Sequence, residues 1–142
     1  TLFRSKSNMY GTPNAEHSPY RISSNSIEKN DSSGKLIEFP LLTTRFLGKK
    51  IPAAGGFYLR SLPTKIIKNA IKNYEKKCIP ATFYIHSWEL TPEFMPRLNL
   101  PLKDKFVTYH NLDKAYSRMS QLLKHFEFTS FGRFITENEM MI

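Results

Sequence analysis

Residues 81–86 alternate in character: Ala81, Phe83 and Ile85 are apolar, and Thr82, Tyr84 and His86 stand between them. A period of two predicts a strand with two unlike faces, here extended to residues 81–89. Pro80 suits the opening of such a strand, because a proline at its middle would remove a ladder hydrogen bond. Pro92 closes the segment. His86 then falls at the carboxyl end of the strand, on its polar side, and is followed by Trp88 and Glu89. In α/β folds and barrels, chemistry collects at that end of the strands. A lone histidine at a strand end is more often a hydrogen-bonded structural residue, so the spacing alone assigns His86 no catalysis.

A different period appears on either side. Over residues 63–77, Ile66, Ile67, Ala70, Ile71 and Tyr74 fall on one face, and Lys65, Lys68, Lys72 and Lys76 lie away from it. This predicts a helix opened by Pro63, with a lysine face that reads as solvated surface. A second helix is expected over residues 112–125, capped by Asn111. Leu112, Ala115, Tyr116, Met119, Leu122, Leu123 and Phe126 form its core-facing arc. Residues 35–40 read as a short strand stopped by Pro40, residues 127–130 as a last strand, and residues 131–135 as a closing helical turn.

The rest reads as connection. Residues 1–35 are rich in Ser, Asn, Gly and Pro, with an exposed turn over residues 25–34. Phe3, Tyr10, Pro13, Pro19 and Tyr20 recur in this stretch, as in a loop that packs on something. Residues 41–57 form a Gly-containing loop. Its adjacent Gly55 and Gly56 permit unusual backbone angles or close approach of another group. No Walker or GxGxxG pattern is present, which argues against a phosphate loop. Residues 91–101 form a proline-rich loop. The predicted order is β-α-β-α-β, an α/β fold over residues 36–142 preceded by the loop-rich segment 1–35. Three strands are too few for a closed barrel or a covered parallel sheet, so the expected fold is incomplete in this chain.

Composition narrows the picture. The chain has 142 residues, 40% hydrophobic and 13% aromatic, enough for one domain with a core. No apolar run approaches the roughly 20 residues of a membrane span. The single cysteine, Cys78, makes neither an internal disulfide nor a metal motif. The net charge of +9 suits anionic partners, and equally describes a lysine-rich surface. The first residue is Thr1, so the expectation is a fragment whose native N-terminus is missing. Its compartment is open between the cytoplasm and the envelope.

Several segments together carry a family likeness: Tyr10-Gly11-Thr12-Pro13, Ser18-Pro19-Tyr20-Arg21, Leu36-Ile37-Glu38-Phe39-Pro40, and Gly55-Gly56-Phe57-Tyr58-Leu59-Arg60. Further along come Phe83-Tyr84-Ile85-His86-Ser87-Trp88-Glu89, Tyr109-His110-Asn111-Leu112, Leu122-Leu123 and Phe126-Glu127-Phe128. In this order and spacing the chain resembles the C-terminal half of a polysaccharide deacetylase. The class is the NodB-homology one (carbohydrate esterase family four), in its exopolysaccharide-locus subgroup. Ser87 stands where relatives carry proline, and Ala54-Gly55-Gly56 where they carry a longer glycine run.

The resemblance implies a distorted (β/α) barrel of which this chain is the C-terminal part. It also implies a zinc or other divalent metal ion in the full-length protein, and an N-acetylated polysaccharide substrate. The family's Asp-Asp pair and His-x-x-x-His motif would precede Thr1. His17, His110 and His125 do not supply that spacing, so no metal ligand is expected in this chain. In such enzymes a metal-bound water attacks the acetyl carbonyl and a histidine protonates the leaving amine. By motif position His86 is that general acid. Trp88, Glu89, Tyr58, Arg60, Gly55 and Gly56 become candidate substrate-binding residues. Trp88 offers a ring for stacking on a sugar; Glu89 can instead anchor its loop or pair with Arg60. Glu38 is read as support for its strand end. Two rivals remain: a non-catalytic glycan-binding or structural module, and a basic nucleic-acid-binding domain. The second lacks any RRM, KH or helix-turn-helix signature, and no nucleic acid partner is expected.

Overall fold

The structure is a computed structural model that describes residues 18–22, 34 and 36–138. Of the expected turn over residues 25–34 only Gly34 is described, and the Tyr10–Pro13 motif and His17 lie outside the described residues. The architecture is mixed α/β. Among the described residues its sheet structure is two separate two-stranded antiparallel ribbons, and no closed barrel forms.

The first ribbon joins β1 (Tyr20–Ile22) to β2 (Leu36–Glu38), with Tyr20 opposite Glu38. β1 falls in the stretch read as loop from sequence, and Tyr20 within it is buried. The second ribbon is a hairpin of β3 (Thr43–Phe46) and β4 (Lys49–Pro52). It replaces most of the expected Gly-containing loop. Its two turn residues, Leu47 and Gly48, have φ of 49° and 77°. A two-residue turn with both φ positive matches the twist of a hairpin. Gly48 adopts that angle without strain, and Leu47 keeps its side chain in solvent.

Of the segment predicted as a strand over residues 81–89, residues 81–86 are extended without joining a sheet ladder, and residues 87–89 are helical instead. The Leu42 amide donates to the Thr82 carbonyl at 3.0 Å, and the Tyr84 amide donates to the Ala54 carbonyl at 3.0 Å. These make two isolated parallel bridges, Leu41 with Thr82 and Gly55 with Tyr84. Each neighbour touches the segment at one point and then turns away, so no ladder propagates. The alternation nevertheless sorts side chains as a strand would. Ala81, Phe83 and Ile85 pack on the core, and Tyr84 and His86 are exposed. The segment ends in a single helical turn, α3 (Ser87–Leu90).

The helix predicted over residues 63–77 is α2 (Thr64–Glu75). Ile67, Ala70, Ile71 and Tyr74 are its buried face, at the spacing that puts four side chains on one stripe. Past its end Cys78 takes a left-handed φ of 54°, and the Ile79 amide turns back to the Tyr74 carbonyl at 3.0 Å. That reversal feeds the chain into the extended segment. The Tyr74 hydroxyl meets Thr43 Oγ1 at 3.1 Å and ties the helix to β3.

Two helices were not legible beforehand. α1 (Gly56–Ser61) begins inside the glycine loop, and α4 (Leu102–Tyr109) follows the proline-rich loop. The helix expected over residues 112–125 is a 3-10 turn (Leu112–Lys114) leading into α5 (Ala115–Leu123). Asn111 does not cap it through its side chain: its own backbone is left-handed, and Nδ2 donates instead to the Arg60 carbonyl at 3.3 Å. Leu112, Ala115 and Leu122 are buried as expected, whereas Tyr116 and Leu123 face solvent. The strand expected over residues 127–130 is an irregular connector into α6 (Phe131–Glu137). There Phe128 sets its ring 5.9 Å from Phe83, a side-chain contact in place of strand pairing.

One core holds these elements. Leu42, Ala53 and Ala54 come from the hairpin side, Leu59 from α1, Ile67, Ala70 and Ile71 from α2, and Leu122 from α5. None of the described helices is long and apolar enough to cross a membrane.

Candidate functional site

The site is built where α1, the extended segment and α4 meet. Its base is a buried ion pair. Arg60, on α1, is 1% exposed and Glu89, on α3, is 2% exposed. Arg60 Nη2 and Nε donate to Glu89 Oε1 at 2.9 and 3.1 Å. The remaining guanidinium donors go to main-chain carbonyls: Nη2 to Val107 at 3.1 Å, Nη1 to Thr108 and His110. Those carbonyls belong to the C-terminal end of α4, where helical carbonyls lack amide partners of their own. A guanidinium presents five donors in a fixed fork, which is what so many acceptors at once require.

Gly56 explains how Glu89 gets so deep. A Cβ on Gly56 would lie 1.8 Å from Glu89 Oε2, inside the carboxylate. The glycine is needed there for space, since only a backbone without a side chain leaves room for the carboxylate. Gly55 plays a different part, holding the extended segment through its bridge with Tyr84.

The second oxygen of Glu89 points the other way, to His86. Glu89 Oε2 accepts from the His86 backbone amide at 3.1 Å and meets the imidazole Nδ1 at 3.2 Å. A carboxylate only accepts, so Nδ1 is the nitrogen that carries hydrogen in this contact. The other nitrogen, Nε2, lies 3.1 Å from the Tyr84 hydroxyl. The imidazole stacks on Trp88, with ring centroids 5.3 Å apart and planes 25° from parallel. Tyr84 meets it edge-on at 4.8 Å. The side chain of His86 is 47% exposed, so the imidazole is held on three sides and open on the fourth. Chemically this is a proton donor or acceptor at a fixed tautomer, facing solvent.

The residues singled out from sequence therefore separate into two layers. His86 and Trp88 form the outer layer. Glu89, Arg60 and Gly56 form the inner one, where Arg60 and Glu89 satisfy each other; of the alternatives open for Glu89, pairing with Arg60 and anchoring its loop are those the geometry realises. Tyr58 is half-buried against the core, its ring 5.5 Å from Phe57. Tyr84 is the residue that sequence reasoning left unassigned. Its signal was present, because a residue two before His86 on a strand shares its face. The α4 carbonyls had no such signal. Among the described residues, no group of three or more His, Cys, Asp or Glu is placed to hold a metal ion.

A second guanidinium repeats the device nearby. Arg118, on α5, donates from Nη1 to the Leu59 and Leu62 carbonyls at 2.8 and 2.9 Å. It closes the end of α1 as Arg60 closes the end of α4.

The chain belongs to the family described as Domain of unknown function (DUF3473), whose model matches residues 2–136. No curated protein and no solved structure matches the chain.

Proposed function

We propose that this DUF3473 chain is the C-terminal part of a metal-dependent polysaccharide N-deacetylase, in which His86 protonates the departing amine of the sugar. The observation that carries the reading is the open imidazole backed by a buried carboxylate, itself held by a buried arginine. Hydrolysis of an N-acetyl group leaves an amine, and an amine departs only when protonated. In this proposal the acid is the imidazolium: Glu89 holds Nδ1 and fixes the ring, and Nε2, beside the Tyr84 hydroxyl on a half-exposed side chain, carries the proton that is given to the amine. The known association of this family with polysaccharide deacetylases supports the same assignment. The described residues do not fit a metal site, so in this proposal the metal ligands and the base belong outside them. The part left to the described residues is proton transfer at His86 and contact with the sugar. Trp88 and Tyr84 flank the imidazole and offer ring faces to that sugar.

A second reading has its own observation. Tyr84, His86 and Trp88 form a partly exposed row of contacting rings, which suits a glycan-binding surface without chemistry.

The test is His86→Ala in the intact protein that carries this chain, assayed on an N-acetylglucosamine polymer with metal content measured in parallel. The expected result is a loss of turnover of about 10²- to 10⁴-fold, the scale of general acid catalysis, with metal content retained. Turnover like the wild type removes His86 from the mechanism. A wild-type protein that binds the polymer without releasing acetate supports the second reading instead.

A further inference from the structure

Away from His86, between the β3–β4 hairpin and the C-terminal half of α2, lies an open cleft of about 340 Å³. Arg45 and Lys50 line it from the hairpin, Asn73 and Tyr74 from α2, and Lys77 from the turn that follows. Thr44 also borders it. The described residues that line it include no Asp or Glu.

The hairpin register places Arg45 directly opposite Lys50. Like charges facing each other across an antiparallel pair destabilise it. Burial first, and then the Arg45 charge, hold the Lys50 ammonium below its ordinary range. The lysines on the outer side of α2 are a different case: Lys65, Lys72 and Lys76 stand in solvent and do not line this cleft. Two facing cations, a third from the turn after α2 and the neutral Asn73 amide together match one kind of ligand. Such a set neutralises and hydrogen-bonds a compact anion, the guanidinium by its fork and the ammonium groups as point charges. The volume lies near the lower end of the range for ligand pockets, about 300–1,000 Å³.

We infer that this cleft is a binding site for a compact anionic group, a phosphate or a carboxylate, held between Arg45, Lys50 and Lys77. The site is independent of the His86 reading, because it shares no residue with it.

Amide NMR spectra of the protein, titrated at constant ionic strength against chloride as control, test it. Inorganic phosphate and oligogalacturonate are the two probes. The expected result is saturable shifts confined to residues 44–50 and 73–77. Affinity should fall tenfold or more in the Arg45→Gln/Lys77→Gln double variant, and stay unchanged in His86→Ala. Both altered side chains are exposed, so the double variant keeps the core intact. Saturation by phosphate alone identifies the group as a phosphate, and saturation by oligogalacturonate alone as a carboxylate. Shifts that spread over Lys65, Lys68, Lys72 and Lys76, that never saturate, or that persist undiminished in the double variant overturn the inference.

Discussion

α2 and α4 are held in opposite ways. α2 presses Ile67, Ala70, Ile71 and Tyr74 into the core. α4 has no fully buried residue, and Leu102 and Phe106 on it face solvent. What fixes α4 is its end. Arg60 takes the Val107, Thr108 and His110 carbonyls, and Phe57 sets its ring 6.0 Å from Phe106. One helix is secured by area, which is spread over many contacts and insensitive to any single atom. The other is secured at its end by a few directed contacts, above all those of Arg60, whose polar atoms must all be satisfied. The candidate site stands on the second kind of support, since the same Arg60 neutralises the Glu89 that orients His86.

Arg60→Ala should separate the two regions most sharply. It leaves the Glu89 carboxylate buried without its cation, at a cost of about 3–5 kcal/mol. Hydrogen exchange should show α4 and α3 losing protection well before α2, and His86 Nδ1 losing its fixed partner. Equal loss across α2 and α4 would mean that the two supports are not separable. Ile67→Ala attacks the other side of the comparison and should cost about 2–5 kcal/mol in a denaturant melt, through lost burial and a residual cavity. The His86–Glu89 contact should persist there in imidazole NMR spectra. A small effect would show that the core collapses around the deletion.

The smallest expected effect concerns Lys50. Its folded pKa lies below 10.5, the value of a free lysine, so the unfolded chain binds the proton more tightly. Stability should therefore rise as pH increases through the window just below 10.5, where Lys50 has lost its proton in the folded chain and not in the unfolded one. Lys50→Met should flatten that slope and change stability at neutral pH by no more than about 0.5 kcal/mol. An unchanged slope would mean that another group sets the alkaline behaviour.

The contrast also explains what could be read in advance. α2 was legible because burial repeats with the helical period, so the sequence carries the stripe. The inward and outward sides of residues 83–86 were legible from the period of two, whereas Thr82, expected on the outer face, is buried. The hairpin was missed because Leu47-Gly48 is a weak turn signal between the polar ribs TTRF and KKIP. α4 was missed because a helix held by its terminal carbonyls writes no apolar stripe. Tyr116 and Leu123 were placed inside by the same rule that placed Leu122 there correctly. Their arc is wider than the face that α5 actually buries.

The sequence by itself determined the side of the chain on which His86 stands, the buried stripe of α2, and the ordered motifs, Gly55–Arg60 and Phe83–Glu89 among them, in which the chain resembles a known family. Those features are local or repeat with a short period, and the side chains declare them. Only the tertiary structure decided that Gly56 makes room for Glu89 and that Arg60 spans from Glu89 to the end of α4. Each of these depends on backbone carbonyls or on space left by a missing side chain, and residue identity records neither.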